Sequence, residues 1–385
     1  MSSFDVAVVG LGALGSATVA ALARRGASVV GIEQFELGHG RGASHDTSRI
    51  LRHSYHTPAY VALTKEAYAD WAALELASGT TLVTTTGGLD LFPANAAIPM
   101  SDYVAAMDAE GVRYEELDTP EVSSRWPGLH PPAGTLALYQ ADAAIVPAGR
   151  GTLVCQHLAA THGANLVTGT PVTGIKPSRT GIEVLTRRGS FSVGSVVVTA
   201  DAWTQSLLEP FGVRLGLTVT EEQVSYFAPQ RPQDFAVGAF PVWIWMDDPS
   251  FYGFPAYGDA TVKAAQDCGG PVVSADQRSG RADPEMLRRL TDFLAMLAPG
   301  SGRSVGSRRC LYTLTPDRDF VLSPIPEEPR VVVGLGAAHG FKFAPTFGRR
   351  LADVALGGVP GPELDPFRLD RPALRDPSHT SKWLV

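Results

Sequence analysis

Residues Asp5 to Glu33 form one uninterrupted pattern: the apolar run Asp5-Val-Ala-Val-Val, the glycines Gly10, Gly12 and Gly15, an alanine-rich stretch to Gly26, then Ala27-Ser-Val-Val-Gly-Ile-Glu33. The spacing predicts a strand, a glycine turn, a helix and a second strand ending on an acid. Each part has a physical task at a dinucleotide. Gly10 permits a tight turn, Gly12 lets the backbone approach a pyrophosphate, and Gly15 lets helix and strand pack closely, while the helix N-terminus faces the phosphates. Glu33 is placed to accept hydrogen bonds from a ribose. Among 40 glycines a bare spacing carries little; the strand, helix and acid around it carry the reading. Alone, the unit does not separate NAD from FAD.

The chain has 385 residues, 44% of them hydrophobic and 18% charged, enough for two globular domains sharing an interface. A net charge of −7 with no Lys/Arg-rich run argues against a nucleic-acid partner. No apolar run is long enough to span a membrane, and no basic leader precedes the first strand, so the chain is expected in the cytoplasm. Its last residues, Ser381-Lys-Trp-Leu-Val385, lack the peroxisomal tripeptide. Cys155, Cys268 and Cys310 have spacings that suit neither a disulfide framework nor a metal site, so no metal is expected.

The long Gly- and His-rich stretch from Gln34 to Tyr55 is expected to be ordered and functional, because Ile50 and Leu51 sit between Arg49 and Arg52. Helices are expected over Ala59 to Leu76, as two short pieces between Tyr103 and Trp126, and over Gly149 to His162, Asp283 to Leu297 and Thr346 to Leu356. Strands are expected over Thr81 to Phe92, Asn165 to Val167, Pro171 to Ile175, Ile182 to Thr186, Phe191 to Ala200, much of Thr218 to Phe254, and Arg330 to Gly336. Val196-Val-Val reads as buried on both faces of a parallel sheet. Nucleotide-type pieces thus alternate with β-rich insertions, which gives an α/β protein: a Rossmann-like nucleotide domain over residues 1–80, 141–215 and 319–385, and a β-rich substrate domain over 81–140 and 216–318.

Three segments could carry chemistry. Arg308-Arg309-Cys310 puts a thiol beside two cations, which favour thiolate, although a lone cysteine is more often a small core residue. Gly336-Ala-Ala-His339-Gly340-Phe-Lys342 follows a sheet strand and opens a helix, where backbone N–H groups and Lys342 can meet negative charge; a plain strand-to-helix turn reads the same way. Lys263 lies in an aromatic β region, either on a solvated face or over a cofactor.

Taken together, Gly10-x-Gly12-x-x-Gly15, Asp46-Thr47-Ser-Arg49-Ile-Leu-Arg52-His53, Tyr252-Gly-Phe-Pro, Lys263, Cys310-x-Tyr312-Thr and His339-Gly-Phe-Lys342-Phe resemble the monomeric sarcosine oxidase family of FAD-dependent amine oxidases, which includes N-methyltryptophan oxidase. The likeness runs in order along nearly the whole chain. It implies a two-domain flavoprotein of the glutathione-reductase/D-amino-acid-oxidase type, acting as a monomer on a small amine or amino acid with O2 as acceptor. It also implies FAD bonded through Cys310, with Gly10, Gly12, Gly15, Glu33, Ser44, Thr47, Arg49, Val172, Gly336, His339, Gly340 and Lys342 around the cofactor. Lys263 would promote the reaction with O2, Arg49 would lie near the flavin, Arg52 and Lys342 would hold a substrate carboxylate, and Tyr252 and Tyr312 would line the amine pocket.

Two departures bear on specificity. Where sarcosine oxidases carry a histidine four residues after the lysine, this chain has Asp267, which either pairs with a secondary ammonium or cyclic imine in a catalytic role or is solvated. Asp201 stands where the family usually shows glycine, as an adjustment of a turn. The expected activity is oxidation of a secondary or cyclic amino acid to an imine with release of hydrogen peroxide. The alternative is a desaturase or dehydrogenase acting on a pathway-specific cyclic amine or imine.

Overall fold

A computed structural model describes residues 2–376, 378 and 379. The C-terminal residues 380–385, read above for a targeting tripeptide, lie outside the described residues.

The opening pattern folds as its spacing requires. Strand Ser2–Val9 runs into helix Ala13–Arg24 and then strand Val29–Ile32, which pairs parallel to the first. Gly10 has φ +92°, and a side chain there would sit 2.6 Å from the Thr199 carbonyl oxygen. At Gly15 a Cβ would lie 1.8 Å from the Gly10 carbonyl oxygen, so helix and turn approach only because both residues are glycine.

Around this unit an eight-stranded sheet forms, ordered Val172–Pro177, Ile182–Thr186, Gly189–Val198, Ser2–Val9, Val29–Ile32 and Asn165–Val167. Strand Glu328–Leu335 joins the far half of Gly189–Val198, and Val321–Ile325 pairs beyond it. Val196, Val197 and Val198 are buried between parallel neighbours Ser2–Val9 and Glu328–Leu335, as their apolar run predicts. Helices Ala13–Arg24, Ala148–Thr161 and Ala344–Ala355 pack together against this sheet.

A second eight-stranded sheet is ordered Arg303–Leu314, Thr218–Ala228, Val262–Gln266, Phe251–Phe254, Val242–Trp245, Gly88–Phe92, Leu136–Gln140 and Glu115–Leu117. Helix Pro284–Leu297 covers it through Leu290, Leu294 and Leu297, which join Trp243, Trp245 and Phe251 in one apolar cluster. A small three-stranded sheet, Arg49–Leu51, Ala144–Val146 and Thr84–Thr85, carries the arginine motif.

The expected helix from Ala59 is Pro58–Ser78, started by Thr57, whose Oγ1 accepts from Tyr60 N, and ended at Gly79 with φ +63°. Between Tyr103 and Trp126 the two helical pieces are separated by an unexpected strand, Glu115–Leu117, because Leu117 pairs with Ala137 at the edge of the second sheet. Arg303–Leu314 forms twelve residues of strand where no strand was expected.

Candidate active site

Three adjoining cavities run from the glycine turn to the second sheet. The first, about 360 Å³, is lined by Gly10, Gly12, Glu33, Ser44 and Val172, among others. It shares Gly12, Ser44, Thr199 and Asp201 with a smaller space of about 80 Å³ that also touches Gly336 and Gly340. That space shares Arg49, Tyr312 and Phe341 with a third cavity of about 110 Å³, lined by Arg52, Tyr252, Asp267, Arg318, His339 and Lys342.

At the first cavity, Glu33 is buried; its carboxylate accepts from Leu11 N at 2.8 Å and Phe35 N at 3.0 Å. Burial opposes its ionisation, but His39 and these two amides hold the carboxyl below its ordinary range. Ser44 Oγ accepts from Ala13 N at 2.9 Å in the first turn of the helix. Gly15 acts in packing rather than on the wall, and Thr47 is exposed and contributes nothing to the three linings.

Strand Arg303–Leu314 places alternate residues on one face. Arg308 lines the first cavity and Tyr312 the other two, so Cys310 lies on the same face between them. Its thiol is buried, and burial pushes it up to about 11 despite Arg49 and Lys263 nearby. The expectation that Arg308 and Arg309 would favour thiolate is therefore corrected. Arg309 points to the other face, against Glu221 O at 2.7 Å, and desolvation outweighs the remaining cations.

Lys263 is buried and absent from the cavity linings. Its Nζ is 2.7 Å from Asp46 Oδ2 and donates to Ser48 O at 2.8 Å. Burial and the neighbouring Arg49 lower it to about 8, while Asp46 opposes the fall. Lys263 and Arg49 in turn hold the Asp46 carboxyl well below its usual range, although burial works against ionisation, and the Tyr226 hydroxyl donates to it. Asp46 and Tyr226 were not singled out in the sequence; nothing local marks a strand tyrosine as the partner of a loop acid 180 positions away. Arg49 is locked by donating to Ser48 O, Ala43 O and His45 O at 2.8, 2.8 and 3.0 Å.

In the third cavity Lys342 donates to the Tyr55 hydroxyl at 2.8 Å and to His339 O at 3.0 Å. Burial, then the charge of Arg52, lowers it to about 7. Arg52 Nη1 is held by both Asp90 oxygens, at 2.8 and 2.9 Å, and by Ser54 Oγ at 3.2 Å. Asp90, in the apolar strand Gly88–Phe92, was not singled out in the sequence, although an acid in an apolar strand is a signal that it has a buried partner. Asp267 lines the same cavity, with Arg318, Cys268, Tyr312 and Lys342 as polar neighbours, and burial raises its carboxyl. It faces the cavity and is not on a solvated surface. The Tyr252 and Tyr312 hydroxyls lie 3.4 Å apart.

Seven non-glycine residues among those described have positive φ: Asp46, Asn95, Asp201, Cys268, Arg318, Ala337 and Ala338. All but Asn95 line these cavities. Each such residue stores strain of about 1–3 kcal/mol, and its concentration here marks a site whose shape is imposed by the surrounding fold. Asp201, at φ +46°, occupies a backbone position suited to glycine, and burial raises its carboxyl to about 6. Buried His45 Nε2, Asp201 Oδ2 and His339 Nδ1 find no hydrogen-bond partner among the described residues, as walls built for a polar cofactor would require. Among the described residues no group of three or more His, Cys, Asp or Glu side chains could hold a metal ion, and no helix is long and apolar enough to cross a membrane.

A dinucleotide-type βαβ unit whose cavity continues into a cation-rich chamber under a second, largely antiparallel sheet defines a two-domain flavoprotein. Residues 5–354 match the model of the FAD dependent oxidoreductase family, and the chain belongs to that family. It is 32% identical over 383 residues to the monomeric sarcosine oxidase of Streptomyces avermitilis, covering 95% of this chain and 98% of that protein. Identity to the peroxisomal sarcosine oxidase of Mus musculus is 31%, covering 96% of each. Among solved structures, NikD, described as an unusual amino acid oxidase essential for nikkomycin biosynthesis, superposes with a TM-score of 0.83 at 30% identity, over 93% of this chain and 95% of that one. The chain is thus an FAD-dependent oxidoreductase of the amine-oxidising kind.

Proposed function

We propose that this protein oxidises a secondary or cyclic amino acid at the carbon beside its nitrogen, with FAD bonded through Cys310 and O2 as the acceptor. The observation that carries the reading is the third cavity, which Lys342, Arg52 and Asp267 line together and which shares Arg49 and Tyr312 with the small space adjoining the first cavity. Lys342 and Arg52, the latter oriented by Asp90, hold the substrate carboxylate. Asp267 meets the amine, while Tyr252 and Tyr312 close the wall around it. Lys263, fixed by Asp46 and Ser48, keeps a positive charge beside the site where oxygen is reduced. When bound, FAD supplies the two-electron acceptor that takes the hydride and returns the electrons to O2, so that amine and O2 become imine and hydrogen peroxide.

Sarcosine oxidases at about 30% identity support this activity, as does the amino acid oxidase NikD. We further place the protein in the cytoplasm as a monomer without a nucleic-acid partner, in keeping with its charge and with relatives called monomeric. Steady peroxide release in air, assayed with N-methyl and cyclic amino acids, tests the reading. Flavin reduction by an amine without peroxide release favours instead a dehydrogenase or desaturase on a pathway-specific cyclic amine or imine.

A further inference from the structure

The turn that joins strand Arg303–Leu314 to strand Val321–Ile325 is bound far more tightly than a connection needs. Arg371 donates to the two Asp317 oxygens at 2.6 and 2.9 Å, to Phe320 O at 2.8 Å and to Asp319 O at 3.1 Å. Thr315 Oγ1 donates to Asp319 O at 2.8 Å, and the Tyr60 hydroxyl donates to Asp319 Oδ1 at 2.5 Å. His339 Nε2 lies 2.9 Å from Arg318 O.

Everything around Arg318 is thus fixed, and Arg318 itself is held at φ +62°. That backbone suits glycine or asparagine, so an arginine there runs against local preference. Its side chain lines the third cavity, and its Nη1 is buried with no hydrogen-bond partner among the described residues. A buried guanidinium nitrogen without an acceptor is unfavourable unless a ligand supplies one.

The cavity's charge says which ligand. Arg49, Arg52, Arg318 and Lys342 share its wall with one carboxylate, Asp267; behind the wall Asp90 answers Arg52, and Asp46 is shared between Arg49, at 3.8 Å, and Lys263, so five cations face three carboxylates. A substrate with a single carboxylate and an ammonium leaves this excess uncompensated. We propose that Arg318 is a specificity residue that binds a second carboxylate, on the side chain of the substrate, so that the substrate class is an N-alkyl or cyclic amino acid with an acidic side chain. This rests on the function proposed above. The guanidinium fork suits a carboxylate better than a neutral amide of the same shape.

The test uses the flavin-loaded protein and two unreactive ligands of equal size, glutarate and its monoamide, titrated by the change in flavin absorbance. Glutarate is expected to bind roughly tenfold or more tightly than the monoamide, as befits one charge-assisted hydrogen-bonded contact. Arg318→Asn keeps the left-handed backbone and should abolish the preference, whereas Arg318→Lys should keep part of it. In turnover, the kcat/KM ratio of N-methyl-L-glutamate to N-methyl-L-glutamine should fall in the same order. Equal affinities, no binding of glutarate, or a preference that survives in Arg318→Asn overturns the proposal. If no amine reduces the flavin, the proposed function fails, and the ligand titration still decides the role of Arg318.

Discussion

Lys263 shows how much of this site is set by single buried charges. Its ammonium is desolvated, crowded by Arg49, and stabilised by Asp46 and Ser48. Removing one such preorganised donor typically slows a step by about 10²–10³-fold, so Lys263→Met should slow reoxidation of the reduced protein by O2 to that extent in stopped-flow mixing. Reduction by substrate should change much less. Because the lysine pKa is lowered to about 8, the charge is present below that pH and lost above it. Reoxidation by the unsubstituted protein should therefore slow as pH rises through about 8, and Lys263→Met should flatten that profile. A profile that stays steep in the variant would point to another group.

At the scale of elements, local grammar was legible and remote pairing was not. The glycine turn, the helix behind it and the valine strand could be read because each depends on residues close in sequence. Gly15→Ala puts a Cβ 1.8 Å from the Gly10 oxygen, and such overpacking should destabilise by roughly 3 kcal/mol, read by urea unfolding. Strand Arg303–Leu314 escaped notice because its arginines, serines and glycine look like loop. Its place comes from an eleven-residue register with Thr218–Ala228, some 85 positions away. Asp90 with Arg52, and Asp46 with Lys263 and Tyr226, were invisible for the same reason: their partners are distant in sequence. The turn holding Arg318 depends on Arg371, whose side chain is 9% exposed. Arg371→Leu strands the mostly buried Asp317 carboxylate and should destabilise by about 3 kcal/mol in the same assay. A loss within experimental error would show that the turn does not need its clamp.

Across the whole molecule the two sheets divide the work. The first, with its glycine turn, fits the adenosine end of a dinucleotide, while the second and the residue that follows its strand Val262–Gln266 bring Tyr252, Tyr312 and Asp267 to the third cavity, with Lys263 and Cys310 buried on neighbouring strand positions. The motif that announces the cofactor is therefore far from the chemistry it serves. The fold class could be read from the alternation of nucleotide-type and β-rich pieces; the meeting of the arginine motif with the second sheet could not, since it needs three-dimensional closure. A bond from Cys310 to the flavin would tie the two sheets together. The yellow colour should then stay with acid-precipitated protein and be released from Cys310→Ala, whose melting temperature should also fall. Colour lost from both proteins alike would contradict the bond.

On the proposed function, the cation-and-carboxylate chamber presents an amino acid's C–N bond to a flavin. Anaerobic titration of the purified protein with a series of secondary and cyclic amino acids, followed by flavin absorbance, tests it directly. Stoichiometric bleaching by at least one amino acid is expected, and none by the corresponding amine without its carboxylate. Bleaching by neither, or by both equally, would contradict it.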